Sequence, residues 1–491
     1  MEFISGENRN QIILLPDSID DYVDGNNAVR VIDAYIDHLD LERLDFSKAQ
    51  PNETGRPMYD PKDLLKLYLY GYMNRVRSSR RLEIETKRNL EVIWLMNKLS
   101  PDHKTIARFR RDNTAALKNV FRDFVKLCIK LGLYGRELVA IDGSKFKAVN
   151  SKDRCFNDKK LAERIARINS KIDEYLHQLE KSDTEENVAP GEKSSEEIAK
   201  IITELENRKV TYQGYEAELQ ESGNTQKSLT DPDSRLMMAN GKLDVCYNIQ
   251  TAVDSKNKLI ADFEVTSEAV DKNQLTPMAK KAAEILETDE IQAVADVGYD
   301  SVQDIVNSME QGIKPHVAGT DFDICLPSNH EAETVIGSHQ NGRCVYNAKR
   351  NIVLCPMGKV LYPRFYKKTK EMGVFCNFTE CSNCTCKCTI EKRGKRHQVP
   401  MKESDFSKIY DDKNLSVRQI RIAPDKAIVK QRKSIVEHPF GTVKRSMDSG
   451  YCLTKCKGGV TGEFSLTFLA YNLRRAINIL GTRKMIEAIQ V

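Results

Sequence analysis

The chain has 491 residues, which by length alone allows about three domains, and its 76 Lys and Arg stand against 71 Asp and Glu for a net charge of +5. That mild excess of base means any nucleic-acid footprint must be local, and without a run of about 18 apolar residues no membrane-spanning helix is expected. The start, Met1-Glu2-Phe3-Ile4-Ser5, has no charged segment followed by an apolar one, so the 13 cysteines read as reduced thiols or metal ligands in a cytoplasmic protein.

Residues from about 16 to 130 read as helical. Leu64, Leu65, Leu67, Tyr68, Leu69, Tyr72 and Met73 cluster after Pro57 and Pro61, prolines that can open a helix but not sit inside one. Arg75, Arg77, Arg80 and Arg81 follow, then an apolar stretch around Trp94, itself a core candidate. Ser100 predicts an N-cap and Pro101 the first residue of a helix that carries Lys104, Arg108, Arg110 and Arg111. A short helix, a turn and a basic helix outline a helix-turn-helix, with Arg108, Arg110 and Arg111 as DNA contacts. The plainer reading is an all-helical domain with a solvated basic face.

Residues 138–150 predict a strand that is apolar up to Ile141 and then turns polar at Asp142-Gly143. From 158 to 223 the pattern becomes helical, with Leu161, Ile165, Ile168, Ile172 and Leu176 at helical spacing, a break at Ala189-Pro190-Gly191, and a second run through Ile198, Ile202 and Leu205. This predicts a helical hairpin inserted between strands. Val245–Asp254 and Leu259–Val265 flank the polar loop 255–258 and predict an antiparallel hairpin. A helix over 274–287, a buried strand over 291–296, a helix over 301–310 and a strand over 313–318 follow. The order is that of a ribonuclease-H-like α/β fold, a mixed sheet flanked by helices, preceded by an all-α N-terminal domain. Residues 1–130 form the helical domain, and 131–157, 224–320 and 411–491 the catalytic one. The hairpin (158–223) and a Cys-rich segment (321–410) are insertions.

Three acids stand out. Asp142 and Asp296 each close an apolar run, and Glu437 lies in Glu437-His438-Pro439-Phe440-Gly441-Thr442-Val443-Lys444, just after Lys430, Arg432 and Lys433. Two Mg²⁺ ions about 3.5–4 Å apart can stabilise the attacking and leaving oxygens of a phosphodiester displacement, and Mg²⁺ needs few protein carboxylates besides water and phosphate oxygens. Acids drawn from separate elements suit such a site. Lys444 is about two helical turns past Glu437 and so on its face, where it can reach DNA phosphate with Arg432 and Lys433. Taken singly, a strand-end Asp before Gly is a turn residue and a helical Glu is solvated. His438 reads as a packed or capping histidine, with a role at the leaving group as the sharper alternative.

The sequence resembles bacterial insertion-sequence transposases with a DDE catalytic domain and an InsH-type N-terminal domain. The stretches that carry the resemblance are Gly55-Arg56-Pro57 through Arg111, Ala140-Ile141-Asp142-Gly143-Ser144, Asp231-Pro232-Asp233-Ser234-Arg235, Tyr247-Asn248-Ile249-Gln250, Ala295-Asp296-Val297-Gly298-Tyr299, and Val436-Glu437-His438-Pro439-Phe440-Gly441 with Lys444. It implies Asp142, Asp296 and Glu437 as catalytic acids that bind Mg²⁺ or Mn²⁺. It also implies cleavage at transposon ends and joining of the freed 3′-hydroxyl to target DNA. One departure is clear: where relatives carry Tyr-x2-Arg-x3-Glu, this chain has Lys430 and Lys433, with Arg432 beside them. The expected partners are the element's terminal repeats and target DNA, with a homodimer, for which the hairpin is a candidate, holding both ends. Two other readings are a nuclease of the same fold without strand transfer and a DNA-binding relic without chemistry. Against the relic, three convergent acids would repel phosphate unless metals offset them.

Cys355, Cys376, Cys381, Cys384, Cys386 and Cys388 crowd one segment. Cys355, Cys381, Cys384 and Cys388 form the preferred tetrahedral zinc set, with Cys376 as competitor. The alternative is a group of free thiols in a loop. The basic run Lys392–His397 beyond them is either a DNA contact or a solvated loop.

Overall fold

Residues 18–50, 58–184, 195–239, 241–328, 333–339, 342–384 and 396–490 are described here from a computed structural model. The N-terminal part contains α1 (Ala28–His38), α2 (Pro61–Met73), α3 (Ser79–Arg88), α4 (Leu90–Leu95), α5 (His103–Asp112) and α6 (Thr114–Lys130). Asp60 caps α2 through the Lys62 amide, with Pro61 at the first helical position, where its missing N–H costs nothing. Every residue of α2 from Leu64 to Met73 is buried, which explains why its apolar cluster shows no polar face. For α5 the expected cap shifts by two residues: Asp102, not Ser100, accepts the Thr105 amide at 2.6 Å, and Pro101 precedes the cap. A carboxylate closer to the helix start outcompetes the upstream hydroxyl. Gly55-Arg56-Pro57 lies outside the described residues.

The central sheet is built from β1 (Leu138–Lys147), β4 (Arg235–Ala239), β5 (Lys242–Asp254), β6 (Ile260–Thr266), β7 (Ile291–Ala295) and β8 (Ile313–Val317), with β2 (Cys155–Phe156) and β3 (Lys227–Ser228) pairing at the foot of the hairpin formed by α7 (Asp158–Thr184) and α8 (Ser195–Ser222). The hairpin break at Ala189-Pro190-Gly191 lies outside the described residues. Strand order is β4-β5-β1-β7-β8, and β6 pairs with β5 beyond β4. β1 runs antiparallel to β5 and parallel to β7, which is parallel to β8. α9 (Leu275–Leu286) and α10 (Val302–Glu310) make the crossovers. β7 is buried almost throughout, as a strand covered on both faces must be.

A second sheet of eight strands follows: β9 (Phe322–Pro327), β10 (Glu333–His339), β11 (Gly342–Asn347), β12 (Ile352–Leu354), β13 (Val360–Lys367), β14 (Met372–Cys376), β15 (His397–Pro400) and β16 (Val417–Ile422), with the short helices α11 (Phe378–Ser382) and α12 (Glu403–Phe406) between them. The Cys-rich segment is therefore β structure. Through β16 pairing with β9 it reaches Ile422, past the expected edge at 410. Its apolar runs are too short for periodicity to register as strands.

The chain ends in α13 (Lys426–Gly441), a π-helical turn at Thr442–Ser446, α14 (Cys456–Leu480) and α15 (Thr482–Ile489). α14 packs on α6, on α2 and on β6. One apolar core consequently runs from Val23 in the helical part through the sheet to Ile489, and a cut at residue 130 would divide it. Among the described residues no helix is long and apolar enough to cross a membrane.

A buried ion pair ties the two parts together. Arg77 Nη1 lies 3.1 Å from Glu463, which is wholly buried on α14 and also accepts from the Leu453 and Thr454 amides and the Thr454 hydroxyl. Glu463→Ala would strand Arg77 in the core and should cost about 3–5 kcal/mol. Urea denaturation checks this; an unchanged midpoint would show that the pair holds nothing.

Candidate active site

Two adjacent strands bring Asp142 and Asp296 together. The parallel pairing of β1 with β7 registers Ala140 against Val294 and goes no further. Two residues on along each strand stand Asp142 and Asp296, so the pair sits where the ladder opens, on neighbouring strands about 4.8 Å apart. Contrary to expectation, only Asp296 follows a strand end. Asp142 lies inside β1, which continues to Lys147 against β5. Asp296 caps the 3₁₀ turn Val297–Tyr299 by accepting the Gly298 amide at 2.8 Å.

Side chains on β1 alternate between faces. Asp142, Ser144 and Phe146 face α13, where Phe146 meets Phe440 and the Lys444 ammonium donates to Ser144 Oγ at 2.6 Å. Gly143 and Lys145 face the other way, toward Asp271. This aspartate accepts from Lys145 Nζ at 3.0 Å, from Asn248 at 2.8 Å and from Gln250 at 2.7 Å, and Gln250 in turn accepts from the Tyr299 hydroxyl. A methyl at Gly143 would run into the Gln250 and Asp271 side chains, so glycine is required there by close approach, not by its dihedrals.

Asp271 was not among the acids singled out from the sequence, because it sits in a loop that reads as a turn. The available signal was the pair Asn248 and Gln250, two amides at strand spacing inside the buried stretch Val245–Asp254 of β5.

Over the aspartate pair lies Arg432 of α13. Its guanidinium is 3.4 Å from Asp142 and 3.8 Å from Asp296, and its side chain is 20% exposed. Burial pushes the Asp142 carboxyl up to about 6; Arg432 pulls against this, while Asp296 and Asp271 add to it.

Glu437 takes a different position. It is five residues past Arg432, about 140° round the helix. It is 65% exposed and pairs with Lys433 at 3.7 Å. Among the described residues no three of His, Cys, Asp or Glu form a metal-holding group, so Asp142 and Asp296 converge while Glu437 is turned outward.

His438 fixes the helix on which Glu437 rides. Tyr471 gives its hydroxyl proton to the Lys258 carbonyl, so His438 Nδ1, 2.9 Å away, must be the donor between them, and Nε2 then accepts from Arg475. Burial and the Arg475 charge lower its pKa, which keeps the ring neutral and structural. Pro439 within α13 removes the partner of the Ile435 carbonyl, and the π turn follows at once.

The other candidate contacts divide. Lys444 is half-buried and held by β1, with its pKa lowered by burial. Arg108 and Arg111 are exposed on α5, and Arg111 pairs with Asp112. Arg110 turns inward, donating to the Tyr72 hydroxyl at 3.0 Å and lying over the Tyr68 ring. Burial pushes the Cys355 thiol up, the Lys359 and Met357 amides pull it back, and the neighbouring Cys384 and Cys381 add to the rise. The Cys355 sulfur also accepts the Lys359 amide. These three do not stand in metal-holding geometry, Cys376 is buried on β14, and Cys386 and Cys388 lie outside the described residues, as do residues 392–395.

The raised Asp142 pKa carries a stability signature. In the metal-free protein the folded state holds this proton up to about pH 6, whereas an unfolded aspartate loses it near pH 4. Within that window the unfolded chain binds fewer protons, so stability falls as pH rises. Asp142→Asn should flatten this slope when melting is followed in EDTA from about pH 4 to pH 7; an identical slope in both proteins would place the ionisation elsewhere.

Comparison with known proteins gives matches at both ends of the chain. Residues 17–112 match the family described as Transposase domain (DUF772), and residues 354–477 match the Transposase DDE domain. The second match contains Glu437 and Lys444; Asp142 and Asp296 lie outside it and rest on the geometry above. No curated protein matches the sequence. Among solved structures, a cryo-EM structure of a piggyBac transposase synaptic complex with hairpin DNA aligns with 94% of this chain and 79% of its own at 8% identity, with a TM-score of 0.29. A transposase domain at the start of the chain and a DDE transposase domain toward its end support an insertion-sequence DDE transposase.

Proposed function

We propose that this transposase cuts the ends of its insertion sequence and joins the 3′-hydroxyl to target DNA by Mg²⁺-dependent phosphodiester transfer, with Asp142, Asp296 and Glu437 as the metal-holding acids. The observation that carries the reading is the register of β1 and β7, which sets two carboxylates side by side at the open end of a parallel pair. The strand order, with an antiparallel β5 on one side of β1 and parallel β7 and β8 on the other, supports a ribonuclease-H-like sheet.

The donor set fits a hard divalent cation, because Asp142 and Asp296 already share one positive charge, that of Arg432. Glu437 would complete the set from α13. When bound, such ions activate a hydroxyl and stabilise charge on phosphate.

The remaining chemistry belongs to the chain. Lys444 fixes the β1 backbone beside Asp142 through Ser144. Lys145 and Asp271 brace the same strand from the opposite face. Lys433 beside Glu437 and Arg108 and Arg111 on α5 lie exposed, where they can meet backbone phosphates, which position DNA without reading its sequence. Arg110 is committed internally and contributes to folding of the helical part. We further read the enzyme as working as a homodimer on paired ends.

Duplexes bearing the element's own ends, incubated with Mg²⁺, should be nicked at a defined phosphodiester by the wild type. Glu437→Gln and Asp142→Asn should lose about 100-fold or more in rate, the scale of removing a preorganised charge-stabilising group, and should still bind the duplex. Binding with no cleavage by any of the three proteins would favour a DNA-binding relic instead.

A further inference from the structure

The contact of Arg432 with the two aspartates is loose. At 3.4 and 3.8 Å it is an ion pair outside good hydrogen-bond distance. Its Nη1 is buried with no hydrogen-bond partner, in contrast to the bidentate, fully bonded fork that arginine makes in a permanent pair. Arg432 is also the residue of α13 that faces the pair, whereas Glu437 on the same helix faces solvent.

We propose that Arg432 is a placeholder cation. It holds Asp142 and Asp296 together in the metal-free enzyme, is displaced when a divalent ion takes the same carboxylate oxygens, and then grips a DNA phosphate. This rests on the reading of the aspartates as metal ligands and adds an order of events to it. Two carboxylates on neighbouring strands repel each other, and one guanidinium offsets them. A metal ion and the guanidinium cannot share the same oxygens, since their charges repel as well. The planar fork that leaves is suited to phosphate. Because the arginine competes with the metal and the phosphate draws the arginine away, DNA and metal should each tighten binding of the other by the same factor.

The test is Mn²⁺ binding to the full-length protein by calorimetry, with and without a duplex carrying the element's ends. Arg432→Gln should bind Mn²⁺ about tenfold tighter than wild type without DNA, corresponding to about 1.4 kcal/mol. The duplex should then strengthen Mn²⁺ binding to wild type but not to the variant. Equal Mn²⁺ affinity of the two proteins without DNA would overturn the proposal. If circular dichroism shows that Arg432→Gln does not fold, Arg432→Lys takes its place: its single ammonium spans the pair less well, so tighter Mn²⁺ binding than wild type supports the placeholder and equal binding overturns it. Asp142→Asn separates the two levels of the argument. If wild type binds no Mn²⁺, or binds it no better than Asp142→Asn does, the reading of the aspartates as metal ligands fails, and this inference fails with it.

Discussion

The structure depends on keeping two carboxylates, each only partly exposed, next to each other at the open end of its central sheet. β1 and β7 run parallel and stop pairing two residues before Asp142 and Asp296, so these carboxylates come to neighbouring positions where the sheet opens. Isolated buried charges are costly, and a pair of like sign is costlier still. Much of the surroundings offsets that cost. Arg432 lies above the pair, Lys444 approaches Asp142 along β1, and on the far face Lys145 balances Asp271. A protein selected for stability alone would not assemble these acids. Their presence is the physical reason to connect the fold with phosphate chemistry.

The scaffold around the pair is built to position α13. The helix crosses β1 and β7 and is fixed at several points. Ile435 and Val436 are buried, His438 is locked to Tyr471 and Arg475, and Phe440 packs on Phe146. α14, which carries Tyr471, packs on the N-terminal helices α2 and α6, and its Glu463 binds Arg77. The helical N-terminal part and the acid pair are thereby joined through one core. The proline and π turn that follow Glu437 break the regular ladder where the helix meets the site, the kind of irregularity found at places that move or bind.

Much of this was legible in the sequence because the elements are locally consistent. The strands at 245–254, 259–265 and 291–296, and the helices between them, were visible from apolar runs bounded by turn residues, and they lie within a few residues of β5, β6, β7, α9 and α10. Asp142 and Asp296 stood out because each closes an apolar run; that they are neighbours comes from the pairing of β1 with β7, which the order of elements along the chain does not give. Three features escaped. Asp271 lies on a loop, and only the buried amides Asn248 and Gln250 hint that something polar must face them. The second sheet is made of runs as short as Ile352–Leu354, below the length at which alternation can be read. The inward turn of Arg110 depends on Tyr68 and Tyr72 of another helix, a tertiary contact that a basic stretch does not reveal.

The most direct test of the account is anomalous diffraction from crystals of the protein with Mn²⁺ and a duplex bearing its ends. The account predicts manganese bound to Asp142 and Asp296, Glu437 turned in from α13 to join them, and the Arg432 guanidinium lifted onto a DNA phosphate. Manganese found elsewhere, or Arg432 still seated on both aspartates with DNA in place, would contradict it.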